Sequence, residues 1–279
     1  MANIETEYTG GRKGNHYSQS IEQVQEMTRM LLAEHPPTVG DNFVCYQLDG
    51  LNSLSDIGRY VERVVFEKTF GNDAERMEKE YGAYEDDSIF YITIDREAEK
   101  PVGVLRVIKQ GEAGLKTLND LTEMMPDLTL EKIYSEHGIA EGDDVWDVGT
   151  VAVLPEYRDK KGKGSAASIQ LFRALYLDAM NNKVKHMISV IDHKAHDKLT
   201  NFLGVPFVPL AGLPPFSYID SENSRAVYGR VDEFYDKMSA EPKWPLARIR
   251  RYLARAAREK LVVGTRDHTI MWDERLSNQ

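Results

Sequence analysis

"DVGTVAVLPEYRDKKGKGSAASIQLFRALYLDAM", Asp147 to Met180, decides the fold. Its opening is rich in valine and reads as a strand. Pro155 cannot donate a further ladder hydrogen bond and closes that strand. A basic, glycine-containing turn follows at 158–164, and then Ile169, Phe172, Leu175, Tyr176 and Ala179 recur at the 3.6-residue period of an amphipathic helix. The backbone amides of Lys161, Gly162, Lys163, Gly164 and Ser165 can converge on a pyrophosphate at the start of that helix, where the helix dipole favours negative charge. Glycine permits close approach of the backbone, and the lysines add point charge. Taken alone, such a turn is also what an ordinary solvent-exposed basic loop looks like; its place between strand and helix gives it weight.

The rest of the chain supplies the layers around this unit. Ile21, Val24, Met27 and Leu31 have helical spacing, NFVCYQL at 42–48 suggests a strand, and Ile57, Tyr60, Val64 and Phe70 lie along a helix with Gly71 as its C-cap. SIFYITID and PVGVLRVIK, separated by a polar turn, read as an antiparallel pair. A helical region is expected over 115–138, a further strand over KHMISVI, a short helix ending at Gly204, late strands within 206–240 and a C-terminal helix over 244–262. This order predicts an α/β layer fold whose last strand–helix–strand unit is a parallel crossover. Three regions result: a polar arm, expected to be mobile over its first twenty residues, plus a helix at 1–40, a main domain at 41–240, and a helical extension at 241–279.

Composition bounds the function. With 35 Lys and Arg against 45 Asp and Glu, the net charge is −10, which opposes nucleic-acid binding because that affinity comes largely from phosphate neutralisation. Cys45 is the only cysteine, so no intramolecular disulfide can form. No apolar run approaches the ~20 residues of a membrane span, and the expectation is a cytoplasmic protein.

VAVLPEYRDKKGKGSA resembles the acyl-CoA-binding motif of the GCN5-related N-acetyltransferase (GNAT) superfamily: a strand ending in V-x-P-x-Y-R, a glycine turn and a helix. Three residues rather than the usual two separate Arg158 from Gly162. RVVFEKTFGND, EYGAYEDDSIFYI, GVLRVI and VWDVGTVAV resemble the branch containing acyl-homoserine-lactone and N-acyl amino acid synthases, with Arg63, Phe66, Asp86, Asp87, Arg106 and Asp147 at that branch's polar or aromatic positions. Where the lactone synthases carry an arginine three residues beyond the strand acid, this chain has Thr150. The resemblance implies a mixed, mainly antiparallel sheet whose central strands splay apart, flanked by helices. It further implies that acyl-CoA is the co-substrate, held by Val151, Val153, Arg158, Lys161, Gly162, Lys163, Gly164, Ser165 and Ala166. The acceptor would be a primary amine of a small molecule or amino acid, met by Asp86, Asp87 and Arg106. An acyl carrier protein is the alternative donor, and a noncatalytic CoA-binding module is the alternative outside catalysis.

The chemistry assigns further roles. An aliphatic amine with a pKa near 10 is protonated at neutral pH, so a carboxylate or a water it orders must take the proton. Asp147 is the expected base, although a solvent-facing strand-edge aspartate would look the same in sequence. The family's tyrosine acid is replaced by Leu199, which leaves Tyr218 or Tyr228 to protonate the leaving thiolate, or no acid at all. Phe90, Met187 and Phe202 suit an acyl tunnel and a plain core equally well. His193 and His196 share a helix face, yet no motif places a third ligand, and no metal is expected. The arginines at 248, 251, 255 and 258 lie on an amphipathic stretch that suits either packing on the domain or steering of an acidic carrier protein.

Overall fold

The computed structural model describes residues 15–37, 42–158, 163–202, 205–234 and 269–272, with backbone alone at 163–166, 202 and 269–272. The expected C-terminal helix and the lysine–glycine turn at 159–162 lie outside these residues.

The chain begins with α1 (Ile21–Glu34), opened by a capping box in which Ser20 and Gln23 satisfy each other's amides. Val24, Thr28 and Leu31 are buried, whereas Ile21, expected on the same stripe, is exposed. After β1 (Phe43–Asp49), α2 (Asp56–Phe70) ends at Gly71, whose φ of +81 is the left-handed C-cap expected of that glycine. Next come α3 (Ala74–Tyr81), β2 (Ser88–Asp95) and β3 (Lys100–Ile108). The stretch expected to be one helical region divides into α4 (Lys116–Met124) and α5 (Leu130–His137), because Pro126 ends the first and Thr129 caps the second.

β4 (Val145–Val153) leads through α6 (Pro155–Arg158) and α7 (Lys163–Asn181) to β5 (His186–Asp192), and α8 (His193–Asp197) follows directly. β6 (Val208–Pro209), β7 (Phe216–Tyr218) and β8 (Ser221–Arg230) are the late strands. The C-terminal extension contributes β9 (Thr269–Trp272), a strand the sequence did not announce, which pairs antiparallel with β1.

These strands form one nine-stranded sheet in the order β6-β8-β5-β4-β3-β2-β1-β9, with β7 paired to β8 off that path. Every described pairing is antiparallel except β4 with β5, which are parallel and joined by the α7 crossover. The architecture is thus the α/β layer fold expected from the order of elements, with the mixed, mainly antiparallel sheet that the resemblance implies. On one face, Ile57, Val61 and Val65 of α2 pack on Phe90, Ile92, Val104 and Ala152; full burial of such side chains contributes about 1.5–3 kcal/mol each. On the other face, α7 packs on Tyr91, Leu105, Val107, Trp146 and Met187.

Helix α7 matches the expected setting only in part. Leu175 and Ala179 are buried as expected, together with Ala167, Leu171, Ala174 and Asp178, while Ile169, Phe172 and Tyr176 are only half-buried. Asp178 is tolerated inside because it accepts a hydrogen bond of 2.5 Å from the Tyr91 hydroxyl on β2.

Candidate active site

The parallel pairing of β4 and β5 is short. Val145, Trp146 and Asp147 stand opposite His186, Met187 and Ile188, and the register goes no further. Beyond that point β5 continues to pair with β8, while β4 pairs only with β3. The last carbonyl on β4 before the separation, that of Val148, accepts from the Ser189 hydroxyl at 2.7 Å. Gly149 is then skipped in the β3–β4 register, since Arg106 faces Thr150 and Val107 faces Val148. This bulge bends β4 away from β5.

The amides in the separated stretch have a definite direction. Leu154 donates its N–H to the Val102 carbonyl on β3 at 2.8 Å. Because amide direction alternates along a strand, the N–H groups of Val151 and Val153 turn to the opposite side, into the gap left by β5. The Val153 carbonyl, which shares that direction, accepts from Arg158 Nε at 2.7 Å, and Val151 is 37% exposed.

Asp147 stands at the closed end of the gap and is fully buried. Its Oδ2 accepts from the Thr117 N–H at 2.6 Å and its Oδ1 from the Thr117 hydroxyl at 2.8 Å. Burial pushes its pKa up to about 6, against the Thr117 hydrogen bonds and the nearby Lys116 charge, which favour the carboxylate. Lys116 bridges Glu80 at 2.8 Å and Asp120 at 2.7 Å, and those carboxylates raise its pKa despite burial. The Tyr218 hydroxyl donates to Asp120. Burial, with Tyr81 and Asp120 close by, holds that phenol firmly protonated.

A second buried polar group adjoins the first through Tyr81, whose ring lies between the Arg106 guanidinium, at 4.9 Å, and the Lys116 ammonium, at 5.2 Å. Five charges alternate here in contact: Asp56, Arg59, Glu85, Arg106 and Glu62. Arg59 Nη1 meets Asp56 at 2.7 Å and its Nη2 meets Glu85 at 2.6 Å, while Arg106 Nη2 reaches Glu85 at 3.1 Å and Glu62 at 2.9 Å. Glu62 also accepts from the Thr150 hydroxyl beside the bulge. Burial alone would lower the Arg106 pKa; Glu62 and Glu85 outweigh it, so the guanidinium is held charged. Its Nη1 has no hydrogen-bond partner among the described residues. Gly50 is needed where Arg59 reaches its carbonyl, because a Cβ there would sit 1.8 Å from the Glu85 carbonyl oxygen.

The N-terminal segment, expected to be a mobile arm to residue 20, is instead tied down from Asn15 onward. Tyr17 is fully buried, its hydroxyl accepting from Arg106 Nη2 at 2.6 Å and donating to Glu62 at 3.1 Å. Arg63 holds the Tyr17 carbonyl at 2.6 Å and the Gln19 carbonyl at 2.9 Å. His16 pairs with Glu78 at 2.8 Å.

The expected site residues are distributed unevenly. Asp147, Tyr218 and Arg106 lie within these two linked groups, and Val151 and Val153 line the gap. Asp86 is exposed and Asp87 half-buried in the turn before β2; Glu85, one residue earlier, is the acid of that run that points inward. Lys161 and Gly162 fall outside the described residues, and Lys163, Gly164, Ser165 and Ala166 open α7. Phe90 is core, lying under both Arg59 at 4.9 Å and Arg106 at 4.4 Å, and Met187 is core on the α7 side. Leu199, which stands where the resemblance would place a tyrosine, is buried in the turn after α8. Tyr228 lies away from the gap, its hydroxyl at 2.7 Å from His186 Nδ1. Among the described residues, no three His, Cys, Asp or Glu side chains gather as a metal site, and no helix is long and apolar enough to cross a membrane.

Sequence reasoning missed Tyr17, Arg59, Glu62, Glu85, Lys116, Thr117 and Asp120. Glu62 did leave a signal: with Gly58 and Val65 it shares the buried face of α2, an apolar stripe interrupted by a charge.

No protein-family model matches the sequence. No curated protein matches it either. Among solved structures, the chain is similar to FeeM, an N-acyl amino acid synthase from uncultured soil microbes, at 18% identity over 70% of this chain and 94% of that one, with a TM-score of 0.51. A CoA-dependent acyl-homoserine lactone synthase, BjaI, aligns at 14% identity over 74% of this chain and 98% of its own, with a TM-score of 0.40. The fold is therefore GNAT-like, of the kind found in FeeM.

Proposed function

We propose that this chain is an N-acyltransferase that moves an acyl group from acyl-CoA to the primary amine of a small molecule or amino acid. One observation carries the reading: two in-plane amides, of Val151 and Val153, face an open gap in the sheet beside a buried carboxylate whose pKa is pushed to about 6. A base with that value is ionised at neutral pH yet can take a proton from an ammonium held beside it. The likeness to FeeM supports the same reaction class.

In this reading the thioester lies along β4 in the gap. Asp147, directly or through an ordered water, removes a proton from the acceptor ammonium, and the freed lone pair attacks the thioester carbonyl carbon. An N–H of the separated strand stabilises the developing oxyanion without reorganising. The C–N bond forms, the nitrogen of the tetrahedral intermediate gives up its second proton to solvent as the C–S bond breaks, and the leaving thiolate takes a proton from solvent or from Tyr218. Because Tyr218 is held protonated and already donates to Asp120, its phenol is a weak acid for this step. The CoA pyrophosphate would sit at the start of α7, met by the amides of Lys163, Gly164, Ser165 and Ala166 with Arg158, Lys161 and Gly162 alongside. Arg106 would shape the acceptor side from beneath; Asp86 and Asp87, nearer solvent, suit the amine's approach.

The test is to incubate purified protein with acetyl-CoA and longer acyl-CoAs, or with acyl-loaded carrier protein, and a panel of primary amines and amino acids, while following free thiol. Amine-dependent thiol release is expected, and the donor that supports it separates CoA from carrier protein. Retained CoA with no thiol release for any amine would instead favour the noncatalytic binding module.

A further inference from the structure

Helix α4 starts without a cap of its own. The residue before it is Leu115, which offers its first amides no side-chain acceptor, yet the N–H of Thr117 is buried and satisfied. Its acceptor is Asp147, 30 residues later on β4. The same threonine also donates its hydroxyl, so one residue grips both carboxylate oxygens, at 2.6 and 2.8 Å. Two-point attachment fixes the plane of the carboxylate, and each oxygen keeps a second lone pair free for a proton.

We infer that Thr117 is the positioning residue of the base: it orients the Asp147 carboxylate toward the end of the β4–β5 gap and favours its ionised form. The inference rests on Asp147 being the base, and it deepens that reading. The other groups facing Asp147 are Lys116 and Asp120 from α4, Tyr81 from α3, with Glu80 behind Lys116, and Tyr218 from β7; Ile188 on β5 opposite carries no charge. Lys116 is shared between Glu80 and Asp120. Thr117 is thus the only one of these that hydrogen-bonds Asp147 directly, and it does so twice.

The substitution Thr117→Val keeps the volume and the backbone amide but removes the hydroxyl donor; Thr117→Ser keeps the donor. Following the Asp147 carboxyl by carbon NMR across pH gives a readout that needs no turnover. In Thr117→Val the titration should move up by about one pH unit, the size of one lost hydrogen bond to the charged form. The acidic limb of the acylation rate should move with it, giving roughly tenfold slower turnover at the acid end, while KM for the amine stays within about twofold. Thr117→Ser should restore both. If Thr117→Val does not fold, Thr117→Ala makes the same deletion. A folded hydroxyl-free variant whose Asp147 titration and rate limb both stay where they were overturns the inference, leaving Thr117 as packing only. If the titration moves but Asp147→Asn turns over like the parent, the reading of Asp147 as base fails instead, and Thr117 is then a helix cap without a catalytic part.

Discussion

The Tyr17 hydroxyl lies 2.6 Å from Arg106 Nη2, joining the N-terminal segment to the middle strand of the sheet across 89 residues of sequence. With Glu62 and Glu85 it meets the Nε and Nη2 side of a guanidinium that has no access to water. A buried charge is tolerated only when its donors are met, so this contact is structural in the strict sense that removing it leaves charged groups short of partners.

Tyr17→Phe should therefore destabilise the protein by about 1–3 kcal/mol, read from denaturant midpoints at unchanged slope. Glu62→Gln should cost more, about 3–5 kcal/mol, because it leaves the Arg106 charge with Glu85 alone. Equal stabilities for all three proteins would show that this network is solvated rather than buried.

Asp147 makes a stability signature of its own. Its pKa is raised from 3.8 to about 6 by burial, so the fold favours the protonated form. The stability it contributes is fully present below the unfolded value near 3.9 and is lost as pH rises through about 6, an effect on the order of 2–3 kcal/mol. Asp147→Asn, neutral throughout, should lack this slope and match or exceed the parent's stability at pH 8. Denaturation of both proteins at pH 4, 6 and 8 checks it, and an Asn variant that loses stability most at pH 8 would contradict it.

At the start of α7, Gly164→Val should weaken CoA binding by calorimetry at least tenfold while leaving the circular dichroism spectrum unchanged, because a β-branched side chain hinders approach of the pyrophosphate to the amides. Undiminished affinity in the folded variant would move the phosphate site elsewhere.

Sequence patterns carried the framework well where the signal is local. The β4–turn–α7–β5 unit is legible because a valine-rich strand, a proline and a 3.6-residue repeat each mark one element, and Gly71 announces the end of α2 by its need for positive φ. The setting of α7 was legible only in part: Leu175 and Ala179 are buried as their spacing suggests, but Asp178 is drawn inward by Tyr91, 87 residues away. The same holds for the site. Asp147 and Arg106 stand on strands whose family resemblance is readable, but their partners Thr117, Glu62 and Tyr17 come from distant elements and have no common spacing. Glu85 lost out to Asp86 and Asp87 because three adjacent acids before a strand look alike until the turn decides which one faces in.

Turnover of Asp147→Asn against the parent across pH tests the central claim most directly. Asparagine keeps the shape and can still meet Thr117, but it cannot accept a proton at neutral pH. The account predicts a loss of roughly 10²- to 10⁴-fold in amine-dependent thiol release, disappearance of the parent's acidic limb near pH 6, and CoA affinity close to the parent's. A folded Asn variant that keeps both the parental rate and its acidic limb would contradict it and assign proton removal to another group.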